Sequence, residues 1–180
     1  MRPEKLTSRF QADLSDAQSL ALGRDHAFIE PAHVLLAMLD AQGGTVRPLL
    51  LKAGADVSPL RTALEAALDR LPKVEGTPGE VHVSNDLTRL LNVCDKLAQQ
   101  RGDTHIASEL FLLACFEDKG TMAEIFRKSR IQKSAVNKAI DEMRGGDKVS
   151  HSGAEEQRQA LEKYTVDLTA RATGGKLDPV

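Results

Sequence analysis

A copied stretch constrains this chain more than any other feature. Phe28-Ile29-Glu30-Pro31-Ala32-His33-Val34-Leu35-Leu36-Ala37-Met38-Leu39 returns as His105-Ile106-Ala107-Ser108-Glu109-Leu110-Phe111-Leu112-Leu113-Ala114-Cys115-Phe116. Ile29 aligns with Ile106, and Leu35-Leu36-Ala37 with Leu112-Leu113-Ala114, at an offset of 77 residues. The same offset relates Leu14 to Leu91, Leu20-Ala21 to Leu97-Ala98, Arg24 to Arg101 and Gly43 to Gly120. Matched leucines alone carry little weight in a Leu-rich chain. The Arg and Gly matches at one offset mark an internal repeat.

Each copy reads as four helices. Thr7 is an N-cap, followed by Phe10, Leu14, Ala17 and Ala21 on one helical face, with Gly23 closing the helix. Pro31 stands at a first helical position, and its helix runs through Leu39 to the break at Gly43-Gly44. Thr45 opens a short helix to Lys52. Ser58-Pro59 opens the next, whose stripe is Leu60, Leu64, Leu68 and Leu71. Residues 72–83 form a Pro/Gly loop. Ser84 then repeats Thr7 as a cap, ahead of Leu87, Leu91, Cys94 and Leu97-Ala98. The copied helix spans about Ser108 to Asp118. Met122, Ile125 and Phe126 mark a short helix, and Val136, Ile140 and Met143 a last one, one residue out of the earlier offset. The expectation is an all-α fold of eight helices, two sets of four packed about a pseudo-twofold axis, without strands. Domain boundaries follow: 1–144 with repeats at about 4–72 and 83–144, a flexible Gly/Ser-rich linker at 145–154, and a polar segment at 155–180 that cannot make a core alone. Gly174-Gly175-Lys176 reads as a turn. Ending at Leu177-Asp178-Pro179-Val180, the chain reads as a fragment of something longer.

Composition narrows the function. With 3% aromatics and no Trp, the core must be built from Leu, Ala, Ile and Val. A net charge of −2 with interspersed signs and no arginine-rich run argues against nucleic acid. The longest apolar run, Leu110 to Phe116, is too short to cross a bilayer, and the charged start lacks an apolar leader, so a cytoplasmic setting without membrane contact is expected. Cys94 and Cys115 sit at apolar helical positions and read as small buried hydrophobes. No phosphate-binding loop, nucleophile elbow or zinc-protease motif is present, which points away from an enzyme in this fragment and from any cofactor or metal site in it. The five histidines are scattered and read as turn or cap residues.

The candidate functional residues lie where the second copy departs from the first. Asp103 and Glu109 flank the second repeated helix, where the first copy has His26 and Ala32. A carboxylate in a first turn complements the helix dipole, so Glu109 has an ordinary role available. Asp103 reads equally as a turn residue and Thr7 as a cap. Leu97 and Leu110 lie near the edges of their stripes. They are either core leucines or the lining of an exposed groove suited to extended polypeptide.

Several strings carry a family likeness: Asp16-Ala17-Gln18-Ser19-Leu20-Ala21-Leu22-Gly23, Arg70-Leu71-Pro72-Lys73-Val74-Glu75-Gly76, Leu91-Asn92-Val93-Cys94-Asp95-Lys96-Leu97-Ala98, Arg101-Gly102-Asp103, Met143-Arg144-Gly145-Gly146, Gln157 to Thr169 and Gly175 to Val180. They resemble the Clp N-terminal repeat, present twice, at the head of the disaggregases among the AAA+ chaperones. The resemblance covers essentially all 180 residues. It implies a mobile substrate-binding and regulatory domain that captures unfolded or aggregated polypeptide. It also implies a hexameric parent that uses ATP and magnesium and works with the DnaK chaperone system, with 155–180 beginning the first ATPase module. Thr7, Asp103 and Glu109 match the family's functional polar positions. Leu97 and Leu110 match its apolar groove, with Val93 where a larger aliphatic residue is common. The isolated chain is expected to be a monomer. The rival implied by the same family is an adaptor-docking domain of a protease-coupled Clp ATPase.

Overall fold

The computed structural model describes residues 2–75 and 80–173, the side chains of 165–173 apart. The turn expected at Gly174-Gly175-Lys176, the stretch 177–180 and the middle of the inter-repeat loop lie outside the described residues.

A 3-10 turn at Pro3–Lys5 leads into repeat one: α1 (Ser8–Gly23), β1 (Phe28–Ile29), α2 (Pro31–Asp40), α3 (Val46–Lys52) and α4 (Val57–Asp69). Repeat two follows with β2 (His82–Val83), α5 (Asn85–Arg101), α6 (Glu109–Phe116), α7 (Thr121–Lys128) and α8 (Lys133–Arg144). A ninth helix, α9 (Ala154–Thr173), extends beyond the repeats. The all-α expectation and the two sets of four hold.

The equivalent helices start the same way. The Thr7 Oγ1 accepts from the Phe10 N–H at 3.2 Å, and the Ser84 Oγ from the Leu87 N–H at 3.0 Å. Each satisfies one of the N–H groups a helix start leaves without a partner. One cap differs from expectation: Asp56, not Ser58, caps α4, accepting from the Ser58 N–H at 3.2 Å.

The central pair is α2 and α6. Every residue from Pro31 to Leu39 and from Glu109 to Cys115 is buried. Helix α1 packs on α2, and α5 on α6. One apolar cluster runs through both repeats, so the two sets share a single core. Phe10 of α1 meets Phe111 of α6 edge to face, ring centroids 6.1 Å apart. Both cysteines are free and buried, and burial pushes both thiols up, away from reactivity.

Strands were not expected, yet two short parallel pairings stitch the repeats together. Ile29 pairs with Val83, and Leu6 pairs with Ile106. Leu6 and Val83 are equivalent at the 77-residue offset, as are Ile29 and Ile106, so each pairing is the symmetry mate of the other. Two residues are too few to show period-two alternation, and only the tertiary packing of the helix starts brings them together.

The segment after α8 also differs from expectation. Rather than hanging free, it packs back on the repeats: Val149 is 2% exposed and Glu155 fully buried. Gly102 has φ +76°, a conformation L side chains rarely adopt, so the turn after α5 favours glycine there.

Candidate functional site

The three polar candidates fall in one buried patch, where the starts of α1 and α6 meet the end of α8. Arg144, the last residue of α8, organises it. The Arg144 Nη1 donates to both Asp103 carboxylate oxygens at 3.1 and 2.9 Å, and its Nε to the Glu109 Oε1 at 3.0 Å. All three side chains are essentially buried. A guanidinium presents its donors in a rigid fork, which suits it to bridging two carboxylates. Its Nη2 is the one buried side-chain nitrogen or oxygen without a partner among the described residues.

The segment following α8 supplies the rest. Glu155 sends its carboxylate into the patch and accepts from four donors: the hydroxyls of Thr7, Thr45 (2.7 Å) and Ser108, and the Ser108 N–H at 3.1 Å. Burial pushes the Glu155 carboxyl up, the nearby Glu109 adds to this, and the bonds from Ser108, Thr7 and Thr45 oppose it. Arg158, one turn of α9 further on, donates to both Glu109 oxygens at 3.2 and 3.4 Å. Asp103 and Glu109 thus share two guanidinium groups, while Glu155 is held by hydroxyls and one N–H. Earlier in the segment, the Val149 N–H donates to the Asp103 Oδ1 at 3.0 Å, while the Val149 carbonyl accepts from the Thr104 N–H at 2.9 Å. The Ser152 carbonyl accepts from the Ser8 N–H at 2.8 Å.

Thr7, Asp103 and Glu109 are therefore brought together, each with a partner from the exit segment. Sequence reasoning missed Arg144, Arg158, Thr45, Ser108 and Glu155. The signal for Arg144 was present: it stands 76 residues after Leu68, on the offset of the last helix.

The apolar candidates are arranged differently. Val93 and Leu97 lie four residues apart on α5, half-buried against the core. Leu110 has no exposed surface. The expectation of Leu110 as exposed groove lining is corrected: α6 is enclosed on all sides, so the position behind Glu109 points into packed side chains. A cleft of about 460 Å³ lies elsewhere, between the Gly43–Thr45 turn, Met143 and the α9 residues Arg158, Gln159, Glu162 and Lys163.

In the first repeat the matching location holds two histidines. The His33 Nδ1 accepts from the Glu30 N–H at 2.8 Å, as a cap histidine should, so its proton resides on Nε2. That Nε2 lies 2.8 Å from the His26 Nδ1 and donates to it. Both rings are neutral in this arrangement. Burial lowers the pKa of His26, and lowers that of His33 to about 4. Among the described residues no cluster of His, Cys, Asp and Glu is placed to hold a metal ion, and no helix is long and apolar enough to cross a membrane.

Known proteins share both sequence and fold with this chain. Chaperone protein ClpB of Vibrio vulnificus is 52% identical over 180 residues, which is all of this chain and 21% of that protein. Chaperone protein ClpB of Pseudomonas putida is 51% identical over the same span and also 21% covered. The chain thus spans about a fifth of the length of these curated relatives. Among solved structures, the Hsp104 N-terminal domain from Candida albicans superposes with a TM-score of 0.73 at 22% identity, covering 83% of this chain and 98% of that one. The N-domain of ClpV from Vibrio cholerae superposes at 0.64 and 22% identity, covering 78% and 85%. At such identities these two structures establish the fold alone. Residues 5–129 match the Clp repeat N-terminal domain family, the duplicated four-helix unit agrees with that match, and the chain belongs to that family.

Proposed function

We propose that this chain is the substrate-capturing and regulatory N-terminal domain of a larger ATP-driven disaggregase. In this reading, Val93 and Leu97 on α5 form the surface that meets apolar stretches of unfolded or aggregated polypeptide. Leu110 is the floor beneath them, and Thr7, Asp103 and Glu109 form the polar flank. Contact is weak, because a shallow face buries little area at about 25 cal/mol per Å². Repeats at about 4–72 and 83–144 form the capture unit, 145–154 connects it, and 155–180 begins the first ATPase module. The connector holds captured chain at high local concentration near the motor. The parent is a cytoplasmic hexamer that consumes ATP with magnesium and works with the DnaK system, while this fragment has no turnover of its own and is a monomer.

The observation that carries the reading is identity above 50% to chaperones named ClpB along the whole chain, the segment after the repeats included. A protease-coupled, adaptor-docking parent is the alternative, and retention of a folded adaptor in a pull-down would favour it. Val93→Glu combined with Leu97→Glu tests capture at two half-buried positions on the outer side of α5. Retention of a permanently unfolded protein should fall about tenfold or more, with helicity by circular dichroism unchanged. Unaltered retention would remove the groove from α5.

A further inference from the structure

The exit segment between α8 and α9 meets the repeats in an unusual way. Residues 148–150 have no regular secondary structure. Their contacts are nonetheless those of a bound peptide. The Val149 side chain is 2% exposed. The Val149 N–H donates to a carboxylate, and its carbonyl accepts from the Thr104 N–H. Three residues on, the Ser152 carbonyl accepts from the Ser8 N–H. Then Glu155 closes the arrangement with four accepted hydrogen bonds and no exposure. One buried apolar side chain, with main-chain donors and acceptors satisfied on either side, is a readout of polypeptide that ignores most of its sequence.

We infer that residues 149–158 are an internal pseudosubstrate: the chain's own exit segment occupies the polar patch of Thr7, Thr104, Asp103 and Glu109 in cis, and competes there with an extended, apolar stretch of unfolded polypeptide. This rests on the capture reading above. Three features make the segment displaceable rather than part of the core. Gly145 and Gly146, both at positive φ, leave the end of α8 with freedom to redirect the chain. Val149 is the one buried apolar residue between Arg144 and Glu155. The patch donors Thr7, Thr45 and Ser108 are hydroxyls that water or a peptide can satisfy once Glu155 withdraws. When the segment is docked the patch is filled. When it leaves, Asp103 offers a peptide N–H its acceptor, Thr104 offers a carbonyl its donor, and the buried space that Val149 vacates accepts an apolar side chain. Release of the segment also frees the domain to move on its tether, so capture and mobility are coupled.

The experiment uses the full 180-residue chain and a reduced, carboxymethylated unfolded protein as the probe. Glu155→Ala removes the acceptor that four donors share, and exposed Glu156→Ala is the control. Hydrogen exchange at the Ser8, Thr104 and Val149 amides should quicken in Glu155→Ala and stay unchanged in Glu156→Ala. Probe affinity should tighten by about tenfold in Glu155→Ala, since removing a competitor docked in about nine molecules of ten raises the competent fraction by that factor. Probe bound to the unaltered chain should quicken exchange at Val149. Unchanged exchange in Glu155→Ala overturns the docking, and quickened exchange with unchanged or weaker probe binding overturns the competition. If no variant binds the probe, the capture reading fails as well, and exchange at Val149 alone reports whether the segment is docked. If circular dichroism shows that Glu155→Ala unfolds, Val149→Ala, which trims the apolar anchor without freeing the backbone, is read by the same two measurements.

Discussion

The two repeats share a scaffold and differ in what they bury at one corner of it. In the first copy that corner holds His26, Ala32, His33 and Leu68. In the second the same positions hold Asp103, Glu109, Leu110 and Arg144. The first is a neutral imidazole pair with a leucine at the position of Arg144, the second a carboxylate–guanidinium–carboxylate bridge. Each repeat then sends its exit strand back over the turn between its first two helices. In the first, the Val74 N–H donates to the Asp25 carbonyl at 2.8 Å, and Val74 remains 43% exposed. In the second, Val149 is held by Asp103 and Thr104 and is 2% exposed. The neutral pair uses its nitrogens on itself and on Glu30. The charged corner turns an Asp103 oxygen to the Val149 N–H of the chain's own exit segment. The two copies keep the packing and differ in the charge they bury at this corner.

The comparison breaks most visibly at Arg144. Arg144→Leu, the residue the first repeat uses, leaves Asp103 and Glu109 buried without their shared cation. It should cost about 3–5 kcal/mol in urea denaturation. Converting the whole corner, with Asp103→His, Glu109→Ala, Leu110→His and Arg144→Leu together, should recover most of that loss. A quadruple variant no more stable than Arg144→Leu would mean the corners are not interchangeable.

A second difference is pH dependence. His33 in the fold resists protonation down to about pH 4, whereas in the unfolded chain it titrates near the ordinary histidine value of 6.5. As pH falls from about 6.5 to about 4 the unfolded state binds the proton first, and stability is lost, on the order of 3 kcal/mol in all. Asp13 acts in the opposite sense: burial raises it to about 7 against the pull of Arg9, so it costs stability as pH rises from about 4 towards 7. Subtracting the stability curve of His33→Leu from that of the parent isolates the histidine contribution. The difference should shrink steadily from pH 6.5 to 4, and a difference independent of pH would refute a neutral His26–His33 pair.

The smallest effect separates two equivalent caps. Ser84→Ala should cost about 1 kcal/mol, an ordinary cap loss. Thr7→Ala should cost up to about 1 kcal/mol more, because it also takes a donor from buried Glu155. Equal losses in thermal denaturation would mean that Glu155 draws nothing from Thr7.

These contrasts also show what the sequence made legible. The eight repeat helices were readable because each carries an apolar stripe or cap, and Thr7 and Ser84 identified one another through the offset. The placement of Leu110 was left open between core and groove, although the unbroken apolar run from Leu110 to Phe116 is the mark of a helix buried on every side. Arg144 was overlooked despite its offset from Leu68, because a charged residue at a stripe position looks like the end of the stripe. Glu155 was hidden in a polar string, and its hydrogen bond to Thr7 spans 148 residues, a distance over which local pattern says nothing. The strand pairs escaped for the same reason.

Those pairs have a wider consequence. Leu6 reaches across to Ile106 just as Val83 reaches across to Ile29, so each repeat lends its leading strand to the other. This is the reciprocity of an isologous interface, residue i meeting j and j meeting i, contained within one polypeptide. The arrangement is that of a homodimer whose subunits were joined end to end. Once joined, the two halves no longer had to be identical. One could carry the charge that a symmetric dimer would have been forced to bury twice.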